Sequence, residues 1–303
     1  MNTEALVACV PNFSEGRRKE VIDAIVDSIK SVPGLSVLDV ESDPDHNRSV
    51  VTILGEPEAV LEGAFRGIAK AAELIDLNRH HGTHPRIGAA DVVPFVPIRG
   101  VTMSDCVSLA VRLGQRVAKE LGLPVYFYEE AATRPDRRAL ENIRRGEYEG
   151  LKERIGKDPS AEPDLGPAKL GPAGAVIIGA RHPLIAFNVY LDTDDLEVAK
   201  KIAEAVRYSS GGFRYVKALG MLVRGHAQVS MNLTNYHQTP MYRVLEAVRR
   251  EAARYGATVT HTEIIGLVPQ RALLDAAKWY MQIDNLTPNL VLENRLWGEE
   301  LEV

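Results

Sequence analysis

Cysteine is scarce: two in 303 residues, Cys9 and Cys106, each among apolar neighbours. A disulfide framework or a thiolate metal site needs more cysteines at set spacings, so both are excluded. Two buried thiols in a reducing compartment are the remaining reading. Positive charge is not in excess either. The 36 Lys and Arg are outnumbered by 41 Asp and Glu, a net charge of −5, so the whole-protein field does not favour a nucleic-acid partner. Aromatics make up only 6%, and no run interleaves them with Lys or Arg as an RNA-binding sheet does. No apolar run is long enough to span a bilayer. The opening MNTEALVACVPNFSEG lacks a basic region followed by an apolar stretch, so no secretory signal is expected. Nucleic acid and membrane thus drop out as partners, and a cytoplasmic location is the expectation. What is present, 45% hydrophobic and 25% charged, is the make-up of a globular protein with room for two domains.

The apolar pattern runs through one order twice. Residues 6–10 are a short apolar run ended by Pro11, which reads as a strand. Ser14 then precedes Val21, Ile22, Ile25, Val26 and Ile29 at helical spacing. Strands follow at 35–40 and 49–54, a helix at 56–74 and a strand at 92–98. The second half reads strand 184–191, helix 194–208, strands 216–223 and 227–233 about an Arg-Gly-His turn, helix 240–255 and strand 258–264. The fold class expected is α+β: two subdomains, each a ferredoxin-like βαββαβ sandwich with helices on one face of a mixed or antiparallel sheet. Between the two lie a helix at 103–121, a strand at 125–128, a charged helical stretch at 136–155 and the Pro/Gly-rich DPSAEPDLGPAKLGPAGA. A loop that long needs a function or a boundary to explain it. The boundary is placed at 181–183, giving subdomains 1–180 and 184–303.

The chemistry concentrates in residues 79–93, RHHGTHPRIGAADVV, where His80, His81 and His84 fall close together. Three readings are open: metal site, acid/base site or polar loop. His80 and His84 have a zinc-like spacing, but Gly82 and Pro85 interrupt a helix and no HExxH is present, so no metal is expected. His80 and His81 read as solvated loop residues. His84 is different. Pro85 restricts its backbone and Asp91 follows closely, so its imidazole is held in one direction near a carboxylate, as general acid/base work requires.

Several stretches together resemble the formiminotransferase family: VPNFSEG, LDV followed by Asn47 and Arg48, GTHPRIGAADVVPFVPIRG, GEYEGL, PDLGP, IIGAR, LIAFNVYL, AQVSMNLTNY and IIGLVPQRALLDAA. They span nearly the whole chain in order. The resemblance implies transfer of a formimino group from N-formimino-L-glutamate to N5 of tetrahydrofolate, the co-substrate, releasing glutamate in a step of histidine breakdown. It further implies two α/β subdomains with a folate groove between them, and a homodimer. The family's HPR histidine corresponds to His84, its proposed acid/base residue. The folate-lining segments correspond to Gly166, Pro167, Lys169, Gly171 and Gly174, and to Gly211, Gly212, Arg214, Lys217 and Gly220. Arg214 and Lys217 are placed to meet the folate carboxylate.

Under this reaction the dicarboxylate donor calls for arginine clamps, and Arg48 and Arg86 are the candidates beside the histidine loop. Asp39 and Glu41, at a strand end, are candidates to orient His84 or assist proton transfer; the family pattern carries an aspartate where this chain has Glu41. Asn12 is a candidate hydrogen-bond donor to substrate, or a turn-forming residue. Ending at residue 303, the chain is too short for a cyclodeaminase domain, so a separate deaminase is expected downstream. Two alternatives stay open: a non-catalytic small-molecule binding protein on the same fold, and formyl transfer on folate.

Overall fold

The computed structural model describes residues 5–297; residues 1–4 and 298–303 of the expected subdomains lie outside them. The chain divides into two compact units, 1–181 and 182–303.

In the first unit β1 (Leu6–Cys9) is followed by β2 (Asn12–Phe13), α1 (Lys19–Lys30), β3 (Leu35–Asp43), β4 (Arg48–Gly55), α2 (Pro57–Leu74) and β5 (Ala90–Arg99). β1 and β2 are one strand interrupted at Pro11, which has no N–H to donate; its carbonyl still accepts from Val51 N at 3.0 Å. Both halves sit between β4 and β5, and β3 flanks β4, all antiparallel. That is the strand order of a βαββαβ sandwich. Along β4 burial alternates: Ser49, Val51 and Ile53 are buried while Arg48, Val50 and Thr52 are partly exposed. The buried side chains meet Ile25 and Ile29 of α1 and Val60, Ala64 and Ile68 of α2 in one core. Each fully buried Ile or Val there contributes about 1.5–3 kcal/mol.

The sheet then extends further than the periodicity predicts. α3 (Met103–Arg116) leads to β6 (Val125–Glu129), and β7 (Val176–Ala180) inserts between β5 and β6, parallel to both. All five residues of β7 are buried. A strand covered on both faces shows no alternation, which is why VIIGA does not announce itself. Phe127 points at α3, against Gly114, whereas Tyr126 points the other way and donates to the Ala161 carbonyl. The intervening segment therefore covers this end of the second face. Its charged stretch is not one helix but two short ones, α4 (Leu140–Ile143) and α5 (Glu147–Arg154), because Gly146 takes φ 80° between them.

The second unit carries β8 (Ile185–Leu191), α6 (Leu196–Val206), β9 (Val216–Val223), β10 (His226–Leu233), α7 (Met241–Arg254), β11 (Val259–Ile265) and α8 (Gln270–Met281). Its sheet runs β11-β8-β10-β9, antiparallel throughout. Ile185, Phe187, Val189 and Leu191 face a core shared with Ile202 and Val206 of α6 and Val244 and Val248 of α7. No helix among the described residues is long and apolar enough to cross a membrane.

Candidate active site

The histidine loop enters β5 against the turn between β3 and β4. Asn47 in that turn takes φ 48°, a left-handed conformation that Asn tolerates. Its Oδ1 accepts from Gly16 N at 2.9 Å and its Nδ2 donates to the His81 carbonyl at 3.0 Å. Its own carbonyl accepts from His80 Nε2 at 2.9 Å. The reading of His80 as a solvated residue is corrected here: it is 7% exposed. Its Nδ1 accepts from Arg86 Nε at 3.2 Å, so the ring is held as the neutral Nε2–H tautomer, and burial lowers its pKa. His81 is exposed.

Arg86 lines the cleft with its guanidinium engaged by other groups of the same unit. Besides His80 Nδ1 it donates to the His80 carbonyl at 3.3 Å, to Glu147 at 2.8 Å, and to Glu149 through both terminal nitrogens at 2.8 and 2.7 Å. Those contacts occupy all five donors of the guanidinium. Hydrogen bonding to Glu149 raises its pKa. These contacts tie the histidine loop to α5.

His84 and Arg48 meet instead. Arg48 NH1 donates to His84 Nε2 at 2.5 Å, and the His46 ring lies 6.2 Å from the His84 ring. His46 Nδ1 in turn contacts Asp43 Oδ2 at 2.7 Å. Arg144, just past α4, pairs with Asp91, whose other oxygen accepts from Ile87 N at 2.7 Å. Arg48, His46, His84, Arg86 and Asp91 line a small cleft. Desolvation first, then Arg48, Arg144 and His46, push the His84 pKa down to about 2. Desolvation and Arg144 also lower Arg48, against Asp91, Glu41 and Asp43, which raise it. The unliganded site therefore holds a neutral imidazole whose Nε2 lone pair is already used. A histidine near neutral pKa, the expectation from residue type, is not what this environment produces.

Asn12 lies on β2 opposite Val50 and Val92, partly exposed, with its Nδ2 donating to the Val10 carbonyl at 2.9 Å. Asp39 and Glu41 pair across β3–β4 with Thr52 and Val50, and Asp43 pairs with Arg48. Because these positions alternate in step, Asp39, Glu41, Arg48 and Asn12 all fall on the sheet face away from α1 and α2. The segment at 166–174 is bound to the histidine loop by its backbone: Ala89 N donates to the Ala173 carbonyl at 2.8 Å and Ala175 N to the Ile87 carbonyl at 2.9 Å. Gly174 is buried in that join, and Gly88 lies so close that a Cβ would sit 1.8 Å from the Ala175 carbonyl oxygen. Gly166, Pro167, Lys169 and Gly171 are exposed on the same segment.

In the second unit Gly211 and Arg214 are exposed, and Gly212 donates to the Arg207 carbonyl at 2.9 Å as α6 ends. Lys217 and Gly220 lie on β9, with Gly220 backed against α6: a Cβ there would be 2.3 Å from Lys200 N. Gly220 thus lets α6 approach β9 closely. His46 in the cleft, Asp43 bonded to His46, and Arg144 paired with Asp91 are neighbours that local pattern missed, whereas Asp91 itself was legible. Among the described residues, no group of three or more His, Cys, Asp or Glu side chains is arranged to hold a metal ion.

Residues 6–181 match the formiminotransferase domain, N-terminal subdomain, and residues 186–295 match the formiminotransferase domain. The chain belongs to the formiminotransferase family. It is 51% identical to a glutamate formimidoyltransferase of Thermoplasma acidophilum, covering 96% of this chain and 97% of that one. A glutamate formimidoyltransferase of Streptococcus pyogenes is 46% identical, with 97% and 99% covered. The pig formimidoyltransferase-cyclodeaminase is 46% identical over 93% of this chain and 53% of its own length. In this formiminotransferase, then, the Arg48–His84 pair sits in the unit that matches the N-terminal subdomain.

Proposed function

We propose that this chain is a glutamate formimidoyltransferase that moves the formimino group of N-formimino-L-glutamate to N5 of tetrahydrofolate. The observation that carries this reading is 51% identity over almost the full length of a protein bearing that name. The proposed reaction forms one bond and breaks one. Tetrahydrofolate N5 attacks the amidine carbon, and the tetrahedral intermediate loses its N5 proton to His84 Nε2. The same proton then goes to the glutamate nitrogen as its bond to carbon breaks, leaving 5-formimino-tetrahydrofolate and glutamate. His84 is the proposed shuttle, supported by its fixed ring and by its place in the cleft. Asp39, Glu41 and Asn12 are proposed to face substrate, supported by their shared sheet face.

Tetrahydrofolate is proposed to meet the exposed part of the 166–174 segment and Gly211, Gly212, Arg214 and Lys217. The two units are proposed to act together as the two formiminotransferase subdomains, in a cytoplasmic homodimer. The test is formation of glutamate from formiminoglutamate by the purified protein, expected only when tetrahydrofolate is added. Folate binding without turnover would favour a binding protein instead.

A further inference from the structure

We infer that Arg48 and Arg144 together receive the α-carboxylate of the amino-acid donor, and that this anion draws Arg48 off His84 Nε2 and uncovers the lone pair. The inference rests on the transferase reading and gives that site a substrate requirement: the carboxylate bonded to the same carbon as the leaving nitrogen.

Three observations lead to it. A guanidinium stays charged at any working pH, so the 2.5 Å contact makes Arg48 the donor and His84 Nε2 the acceptor. A nitrogen already accepting a hydrogen bond from a cation cannot also accept the substrate's proton. The unliganded site is therefore capped. Second, Arg144 is under-served. It pairs with Asp91, yet its Nε is buried with no hydrogen-bond partner. A buried donor left unpaired is destabilising, and an arriving oxygen would relieve it. Third, the charge surrounding His84 is unbalanced. Arg48 on β4 and Arg144 past α4 both act on it as cations, and the His46 ring of the β3–β4 turn lies beside it. Asp91 on β5 is already held by Arg144 and Ile87 N, and Asp43 on β3 by His46 and the backbone N–H groups of Asp45 and His46. Glu41, also on β3, acts on Arg48.

An anion between the two arginines reverses this balance. It satisfies Arg144, offers Arg48 a planar two-oxygen acceptor in place of a ring nitrogen, and puts negative charge beside the imidazole. His84 then becomes more basic only when the donor is in place. A free site would not take up protons idly, and a formimino compound without the α-carboxylate would leave the cap on.

The experiment uses the full chain with 15N-labelled histidine and follows the His84 Nε2 resonance at pH 7. In Arg48→Met the resonance reports the uncapped nitrogen. Saturating glutamate is expected to move the wild-type resonance to that same position, glutamine (α-carboxylate intact) to do likewise, and isoglutamine (α-carboxylate amidated) to leave it in place. Arg144→Met is expected to weaken glutamate binding about tenfold or more, the loss of a charge-assisted pair. If Arg48→Met does not fold, the glutamine–isoglutamine contrast on the wild-type chain decides alone. Glutamate that fails to bind, or that saturates the protein without moving His84, overturns the inference. Turnover on the same preparation separates the two readings: activity with an unmoved His84 sinks the cap and keeps the transferase, while a moved His84 without activity does the reverse.

Discussion

Replacing Arg86 by Met separates a clamp from a bolt. Met keeps the aliphatic volume and removes five donors. Two of the acceptors are the His80 ring nitrogen and carbonyl, in a residue only 7% exposed. At 3.2 and 3.3 Å these are long hydrogen bonds. Each stranded acceptor should cost near the low end of the usual range, about 1–2 kcal/mol. The other acceptors are Glu147 and Glu149, whose side chains are 41% and 63% exposed and can return to water. Discounted as surface pairs, they add about 0–1 kcal/mol each. The expected loss is therefore about 2–6 kcal/mol, read as a lower urea midpoint with an unchanged slope. Turnover should fall as well, because His84 is two residues away on the same loop. Glu147→Gln and Glu149→Gln should each cost less than about 1 kcal/mol. A clamp would behave otherwise. If Arg86→Met keeps its urea midpoint but raises the KM for formiminoglutamate tenfold or more, Arg86 leaves its glutamates for substrate and the structural assignment is wrong.

His84→Ala should lower turnover by about 10²–10⁴-fold, the usual share of a general acid/base, while tetrahydrofolate affinity stays near wild type; near-normal turnover would remove His84 from the mechanism. Gly220→Ala places a methyl 2.3 Å from Lys200 N and 2.5 Å from the Ala199 carbonyl carbon, both backbone atoms that cannot step aside. It should destabilise the chain by about 1–3 kcal/mol or more, and a stable variant with weakened folate binding would return Gly220 to the folate site. Stability should also fall on mild acidification. His80 and His84 both have folded pKa values lowered from 6.5, so below 6.5 the unfolded chain binds protons that the folded chain refuses. The stability is present above that value and lost as pH drops, by up to about 1.4 kcal/mol per pH unit for each. A urea midpoint flat from pH 7.5 to 5 would contradict it.

What the sequence made legible was whatever repeats locally. Val21, Ile22, Ile25, Val26 and Ile29 announce α1 because one helical face is enough to bury them, and all five are buried. The strands at either end of both sandwiches alternate or run apolar within a few residues. β7 escaped because a strand buried on both faces has no period to detect, and because it follows a Pro/Gly-rich segment. Arg86 escaped for a different reason. Its acceptors Glu147 and Glu149 lie 61 and 63 residues away, and no local spacing connects them. The same holds for Arg144 and Asp91, 53 residues apart. Local sequence pattern finds that an arginine is present and cannot say whether its donors are spent.

That distinction decides the chemistry of the site. Residue type places His84 near neutral pKa and so suggests a base ready to act. Its neighbours arrive from 36 and 60 positions away, Arg48 and Arg144, and their combined charge with burial takes the free imidazole down to about 2. Such an imidazole is a poor base, and the efficiency of a general base follows its pKa. Either His84 is not the proton shuttle, or something in the reacting complex changes its surroundings. The donor is itself a dicarboxylate under the proposed reaction, and its binding can offset two arginines. The basicity of His84 then belongs to the enzyme–substrate complex rather than to the chain. The acid limb of kcat, which reports the complex, should differ from that of kcat/KM, which reports the free enzyme, by the amount that donor binding moves His84. Identical limbs would mean that the donor leaves the imidazole as the folded chain holds it.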